Sequence, residues 1–273
     1  MPLSRIQTDM LRLLAAHRDP ESYVAGSTPL NARAARYSDD IDVFHDREER
    51  VAQAAEQDST VLLGNGFDMR WVRREPAMYS AVASRDGDAT KLEWVVDADF
   101  RFFPTVPDDL FGYMLHPVDL ATNKLMAAAG RREPRDVVDL LTIHDRILPV
   151  GAVAWAAVGK QLGFTPEALI NEVRRQARYT DADFRRLASD PPVDPAATMT
   201  RLRQVLDEAE EFVGQMPTAE AGLLFLQDGQ VVQPDPVRLN AYQTHAGQRR
   251  GQWPGSTEIS AAMLERYGTR QQS

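Results

Sequence analysis

Tyr37-Ser38-Asp39-Asp40-Ile41-Asp42-Val43-Phe44-His45-Asp46 is the stretch on which the reading of this chain turns. A β-strand alternates its side chains between two faces, so Asp40 and Asp42 share one face while Ile41 and Val43 share the other. The apolar pair can enter a core, which leaves two carboxylates side by side. Like charges at that spacing repel, and desolvation adds to the cost unless a cation shares them. Hard divalent ions such as Mg²⁺ take carboxylate oxygens, commonly with water and substrate phosphates completing the shell. The stretch therefore points to metal-assisted phosphoryl or nucleotidyl chemistry. An edge strand with a charged face has the same pattern, and Asp39 and Asp46 suit that plainer reading. Aspartate is, however, disfavoured inside strands, so two on one face call for compensation.

Upstream, Tyr23-Val24-Ala25 reads as a short strand, and Gly26-Ser27-Thr28-Pro29 as a turn into a helix reaching about residue 35. Glycine lets backbone approach a ligand closely, and N–H groups at a helix start favour phosphate oxygens. The Ser27 hydroxyl can add one hydrogen bond to a phosphate. Ser27 or Thr28 can equally serve as the helix cap, with Pro29 suited to the first turn. Downstream, Lys91-Leu92-Glu93-Trp94-Val95-Val96-Asp97-Ala98-Asp99 offers three acids of one strand parity, Glu93, Asp97 and Asp99. Glu93 lies deepest, between Leu92 and Trp94, where an acid most needs a reason to exist, and is the expected third metal ligand. Asp97 and Asp99 fit a turn as well.

Arg36 and Arg101 are candidates for neutralising phosphate or carboxylate charge. Lys124 interrupts an apolar helix. It suits a triphosphate as a point charge, or it simply snorkels to water. In Arg135-Asp136-Val137-Val138-Asp139-Leu140, Arg135 and Asp139 share a helical face, as an internal salt bridge would. His45, His116 and His144 are too scattered for a metal set and read as local hydrogen-bonding residues. P-loop, Gly-x-Gly-x-x-Gly, His-Glu-x-x-His and Gly-x-Ser-x-Gly patterns are missing. Dinucleotide oxidoreductases, ordinary NTPases, zincins and typical hydrolases therefore leave the leading choices.

The 273 residues, 43% hydrophobic and 26% charged, suffice for one large domain or two smaller ones. Without cysteine there are no disulfides, and a reducing compartment is allowed; the expected location is cytoplasmic. No signal-peptide pattern opens the chain, and its longest apolar run, 147–158, falls short of a membrane span, so no membrane partner is expected. The net charge of −9 argues against a broad nucleic-acid-binding surface, though a local basic groove can coexist with it.

Periodicity and turn residues predict an amphipathic helix over 4–18, the acidic strand over 39–45, and a helix from 47 to 57 or 63. Strands follow at 67–73, 78–84 and 91–97, joined by Glu75-Pro76 and Asp86-Gly87-Asp88. Residues 104–109 read as a loop. Helices are expected at 117–129 and 134–142, then at 151–162, 166–177, 181–188 and 196–213. A short strand at 223–226 precedes an irregular tail from 232 with one helix near 257–267. The division is an α/β unit over 1–115 feeding a mainly helical region over 116–273.

Taken together, Tyr23 to Ser27, Arg36 to Phe44, Pro117-Val118-Asp119-Leu120-Ala121-Thr122-Asn123-Lys124-Leu125 and Arg135 to Leu140 resemble the polymerase-beta-like nucleotidyltransferases, specifically the AbiEii toxin type. The likeness covers about residues 20–145. It implies an α+β class with a minimal nucleotidyltransferase fold, a mixed sheet backed by helices and followed by a helical C-terminal region. It also implies that Gly26 and Ser27 hold an NTP's triphosphate, that Asp40 and Asp42 bind two Mg²⁺ ions, and that Glu93 completes the triad. Lys124 and Asp136 match motifs that contact the nucleotide or organise its pocket, and Arg36 joins them. The activity implied is Mg²⁺-dependent transfer of an NMP from an NTP to an acceptor hydroxyl, on RNA or a tRNA end, by a toxin paired with an antitoxin protein. Two features depart from the family: Gly26-Ser27 replaces a common Gly-Gly, and Glu93 stands where aspartate is more usual. Phosphotransfer to a protein or small molecule, and an inactive nucleotide-binding module, are the competing readings.

Overall fold

The computed structural model describes residues 3–32, 34–98, 100–161 and 163–249. Two compact units emerge, one taking in Met1–Asp99 and Pro104–His116, the other Phe100–Phe103 and Pro117–Gln248.

In the first unit, α1 (Arg5–Leu14) begins at a capping box. Ser4 Oγ accepts the Gln7 N–H, and Gln7 Oε1 accepts the Ser4 N–H. Ile6, Met10, Leu11 and Leu14 then form one buried stripe. Next come β1 (Ser22–Ala25), the single turn α2 (Thr28–Asn31), β2 (Asp40–His45), α3 (Glu48–Gly64), β3 (Asp68–Glu75), β4 (Met78–Arg85) and β5 (Asp88–Val96). The two-residue β6 (Phe100–Arg101) belongs to the second unit, and β7 (Val106–Asp108) and β8 (Gly112–Met114) return to the first.

Seven strands make one mixed sheet in the order β3-β4-β5-β2-β1-β8-β7. β2 runs antiparallel to β1 and parallel to β5. Asp86 and Gly87, both at positive φ, close the β4–β5 hairpin between paired Arg85 and Asp88, the chemistry such two-residue turns favour. One sheet face packs on α1 and α3: Ile41, Val43, Leu92, Trp94, Ala81 and Ala83 share a core with the α1 stripe and with Val51, Ala55 and Leu62.

The second unit is chiefly helical: α4 (Pro117–Gly130), α5 (Pro134–Arg146), α6 (Val150–Ala157), α7 (Pro166–Gln176), α8 (Asp181–Phe184) and α9 (Pro195–Gln215). Every residue of α6 is buried. A three-stranded sheet, β10-β9-β11, follows, formed by β9 (Leu223–Gln227), β10 (Gln230–Val232) and β11 (Gln243–Ala246). None of the helices among the described residues is long and apolar enough to cross a membrane.

The α+β class, the mixed sheet backed by helices and the helical C-terminal region agree with the sequence reading. Several local expectations change. The helix after Gly26 is one turn and not two, the helices expected over 151–162 and 181–188 end at Ala157 and Phe184, residues 104–109 contain β7, and the tail beyond 232 contains β11. Such short strands have too few alternating residues to signal themselves, and their partners decide them. The helix expected near 257–267 lies outside the described residues.

Candidate metal and nucleotide site

The site grows out of the alternation in β2 and β5. Ile41, Val43, Leu92 and Trp94 are fully buried on the helix-covered face, which turns Asp40, Asp42 and Glu93 to the opposite face, each half-buried. The parallel register places Asp42 beside Glu93 and Ile41 beside Leu92. A slip of one residue would exchange the faces, so burial of the apolar set fixes where the acids stand. One carboxylate oxygen from each of Asp40, Asp42 and Glu93 lies within 4.8 Å of the others. Three hard oxygen donors at that spacing suit a divalent cation.

Gly26 bounds this cluster. It follows Ala25, which pairs with Asp42, and its φ is +66°. A Cβ built there would meet Asp42 Oδ2 at 1.7 Å, so both the conformation and the space restrict the position to glycine. Beyond it, a knot of hydroxyls supports the start of β2. The Thr28 and Ser38 hydroxyls both donate to the Asp40 carbonyl, at 2.8 and 2.9 Å. Ser27 Oγ lies 2.9 Å from Ser38 Oγ. A hydroxyl has one proton, and that of Ser38 is committed to Asp40, so Ser27 is the donor to Ser38. Ser27 makes no side-chain cap to α2. Gln7, already part of the α1 cap, sends its amide to the Ser38 carbonyl (2.9 Å) and to Thr90 Oγ1 (3.2 Å). The start of helix α1 thereby braces the loop that delivers Asp40.

Of the alternative acids, Asp97 stands apart from the cluster. Its carboxylate accepts the Tyr23 hydroxyl and the Ala98 N–H, so it serves the end of β5. Asp99 lies outside the described residues. Arg36 is buried, with Nη1 donating to the Tyr37 carbonyl at 2.8 Å. Lys124 and Asp136 sit in the second unit. Lys124 Nζ is 2.8 Å from Asp139 Oδ2, and Asp136 receives a two-pronged contact from Arg131 at 2.8 and 2.9 Å. Arg101 is buried and lends positive charge to the buried Asp119, whose carboxyl accepts the Phe102 and Phe103 N–H groups.

Two features escaped the sequence reading. Lys91 places Nζ 2.5 Å from Glu93 Oε1, and Lys91 pairs directly with Asp40. Its parity with Glu93 was legible; its position across from Asp40 needed the register. The other is His45, expected to hydrogen-bond locally. It is completely buried at the core end of β2, and neither ring nitrogen has a hydrogen-bond partner. Burial first, then the charges of Arg18 and Arg50, hold it neutral and push its pKa down to about 3. His144 does bond locally, accepting the Val150 N–H through Nδ1 at 3.3 Å.

Similar architectures occur in solved structures. MenT4, described as a nucleotidyltransferase toxin from Mycobacterium tuberculosis, superposes with a TM-score of 0.53 at 15% identity, over 79% of this chain and 84% of its own. The likeness is one of fold, shared with a protein described as a nucleotidyltransferase toxin. A candidate nucleotidyltransferase of H. pylori also matches, with a TM-score of 0.49 at 13% identity over 76% of this chain and 92% of its own. The sequence itself matches no family model and no curated protein. The cluster of Asp40, Asp42 and Glu93 has the donor set and spacing to hold a divalent metal ion.

Proposed function

We propose that the chain is a Mg²⁺-dependent nucleotidyltransferase of the AbiEii toxin type, moving an NMP from an NTP to a hydroxyl of RNA, a tRNA end in particular. In this reading residues 1–115 are the catalytic core, the region from 116 onward is a mainly helical appendage, and an antitoxin protein holds the activity in check. One observation carries the proposal: three carboxylates from two neighbouring strands converge beside a glycine whose missing side chain leaves room for one of them.

Asp40 and Asp42 would hold two ions and Glu93 one of them, on the acceptor side. Magnesium held by these residues would supply the charge that lowers the pKa of the attacking hydroxyl and offsets that of the phosphates. The acceptor oxygen bonds to the α-phosphorus, the α–β phosphoanhydride bond breaks, pyrophosphate leaves, and the hydroxyl proton passes to solvent. Gly26 lets the chain pass close to the triphosphate. Because the Ser27 hydroxyl donates inward to Ser38 in this structure, reaching a phosphate requires it to rotate. Arg36, Lys124 and Asp136 are assigned to the nucleotide on the family resemblance.

The test is incubation with α-³²P-labelled NTPs, Mg²⁺ and total RNA. Label is expected in RNA, and Asp42→Ala should lower it about 10²-fold or more. Label carried only from γ-³²P-NTP to protein or small molecules would favour phosphotransfer. Mg²⁺–NTP binding that persists in Asp40→Ala/Asp42→Ala, without any transfer, would indicate an inactive binding module.

A further inference from the structure

The triad contains a cation of its own. Lys91 lies two residues before Glu93 on the same face of β5, and directly opposite Asp40 on β2. Its ammonium sits 2.5 Å from Glu93 Oε1. Lys91 thus contacts one of the three acids and stands in register with a second. The Lys91 side chain is 42% exposed against 13% for Glu93, so the ammonium has solvent into which it can withdraw while the carboxylate stays fixed.

Resting on the metal-site reading above, we propose that Lys91 is a positioning residue that competes with the divalent cation for Glu93. The ammonium offsets the charge of the Glu93 carboxylate by proximity, without a hydrogen bond to Oε1, and a divalent cation must expel it to use that carboxylate. An ammonium and a divalent ion cannot share one carboxylate without mutual repulsion at contact distance. Three carboxylates alone then hold the metal weakly, because part of their charge is already matched. An NTP changes the balance, since its phosphates add anionic ligands that Mg²⁺ prefers and that also attract the released ammonium. Metal loading is thereby coupled to the arrival of nucleotide.

The experiment is calorimetric titration of Mn²⁺, an oxygen-preferring probe ion, into the full chain without nucleotide. Lys91→Met keeps the apolar stem and removes the charge at a half-exposed position, so folding is expected to be intact, and circular dichroism checks it. Lys91→Met should bind Mn²⁺ about 10-fold tighter than wild type or more, Lys91→Arg should match wild type, and adding Asp42→Ala to Lys91→Met should abolish the gain. Equal or weaker binding by Lys91→Met, with Asp42-dependent Mn²⁺ binding still present, overturns the role of Lys91 and leaves the metal site standing. Binding that does not depend on Asp42 in any of these proteins overturns both.

Discussion

The two faces of the β2–β5 ladder are built from the same ten or so residues and obey opposite rules. On one, Ile41, Val43, Leu92 and Trp94 are sealed against α1 and α3. On the other, Asp40, Asp42, Glu93 and Lys91 stand half-buried with their charges close together. The contrast shows how a strand pair can carry a costly acidic cluster. The apolar face supplies the free energy and fixes the register, and the charged face accepts the position it is given. Stability and chemistry should accordingly separate by residue parity.

The largest effect is expected at Trp94, whose indole fills the core beside Trp71 and donates to Asp58 Oδ2 at 2.7 Å. Trp94→Ala should lower unfolding stability by about 3–5 kcal/mol, measured by urea titration. Asp42→Ala, one strand away on the other face, should lose transfer activity with a melting temperature close to wild type. Similar melting losses in both variants would break the proposed division between faces.

His45 sharpens the comparison, because it is the one titratable group on the sealed face of β2. Its folded pKa of about 3 lies below the ordinary value near 6.5, so the unfolded chain takes up the proton first. Stability is full above about pH 6.5 and is lost as pH falls toward 3. Between pH 7.5 and pH 5 this amounts to about 2 kcal/mol. Denaturation midpoints of wild type and His45→Leu across that range should diverge, with the variant showing the flatter profile. Parallel profiles would show that the ring takes up its proton in the folded protein too.

The smallest effect belongs to Ser27→Ala. Loss of one neutral hydrogen bond should cost about 0.5–1.5 kcal/mol. If the hydroxyl rotates to phosphate, the loss appears in kcat/KM; if it stays on Ser38, it appears in the melting temperature instead.

Much of the site was legible in the chain. Asp-x-Asp beside Ile and Val, and an acid between Leu92 and Trp94, announce themselves because strand alternation is local and charged residues in strand interiors are rare. Lys124 illustrates the opposite case. Its place on an apolar helix left a snorkelling side chain and a phosphate partner both open, and its ion pair with Asp139 on the next helix is one that helix packing creates. The place of Lys91 opposite Asp40 was hidden too, since it depends on which strand lies beside which.

By itself the sequence determined the local terms: where strands and helices begin, which residues face a core, and which acids are left without apolar company. Only the tertiary structure decided that Asp42 and Glu93 are neighbours, that Gly26 makes room for a carboxylate oxygen, and that Lys91 stands opposite Asp40. The physical reason is that backbone conformation responds to residues a few positions apart, whereas charge pairing and close approach are set by register between segments some fifty residues apart in the chain.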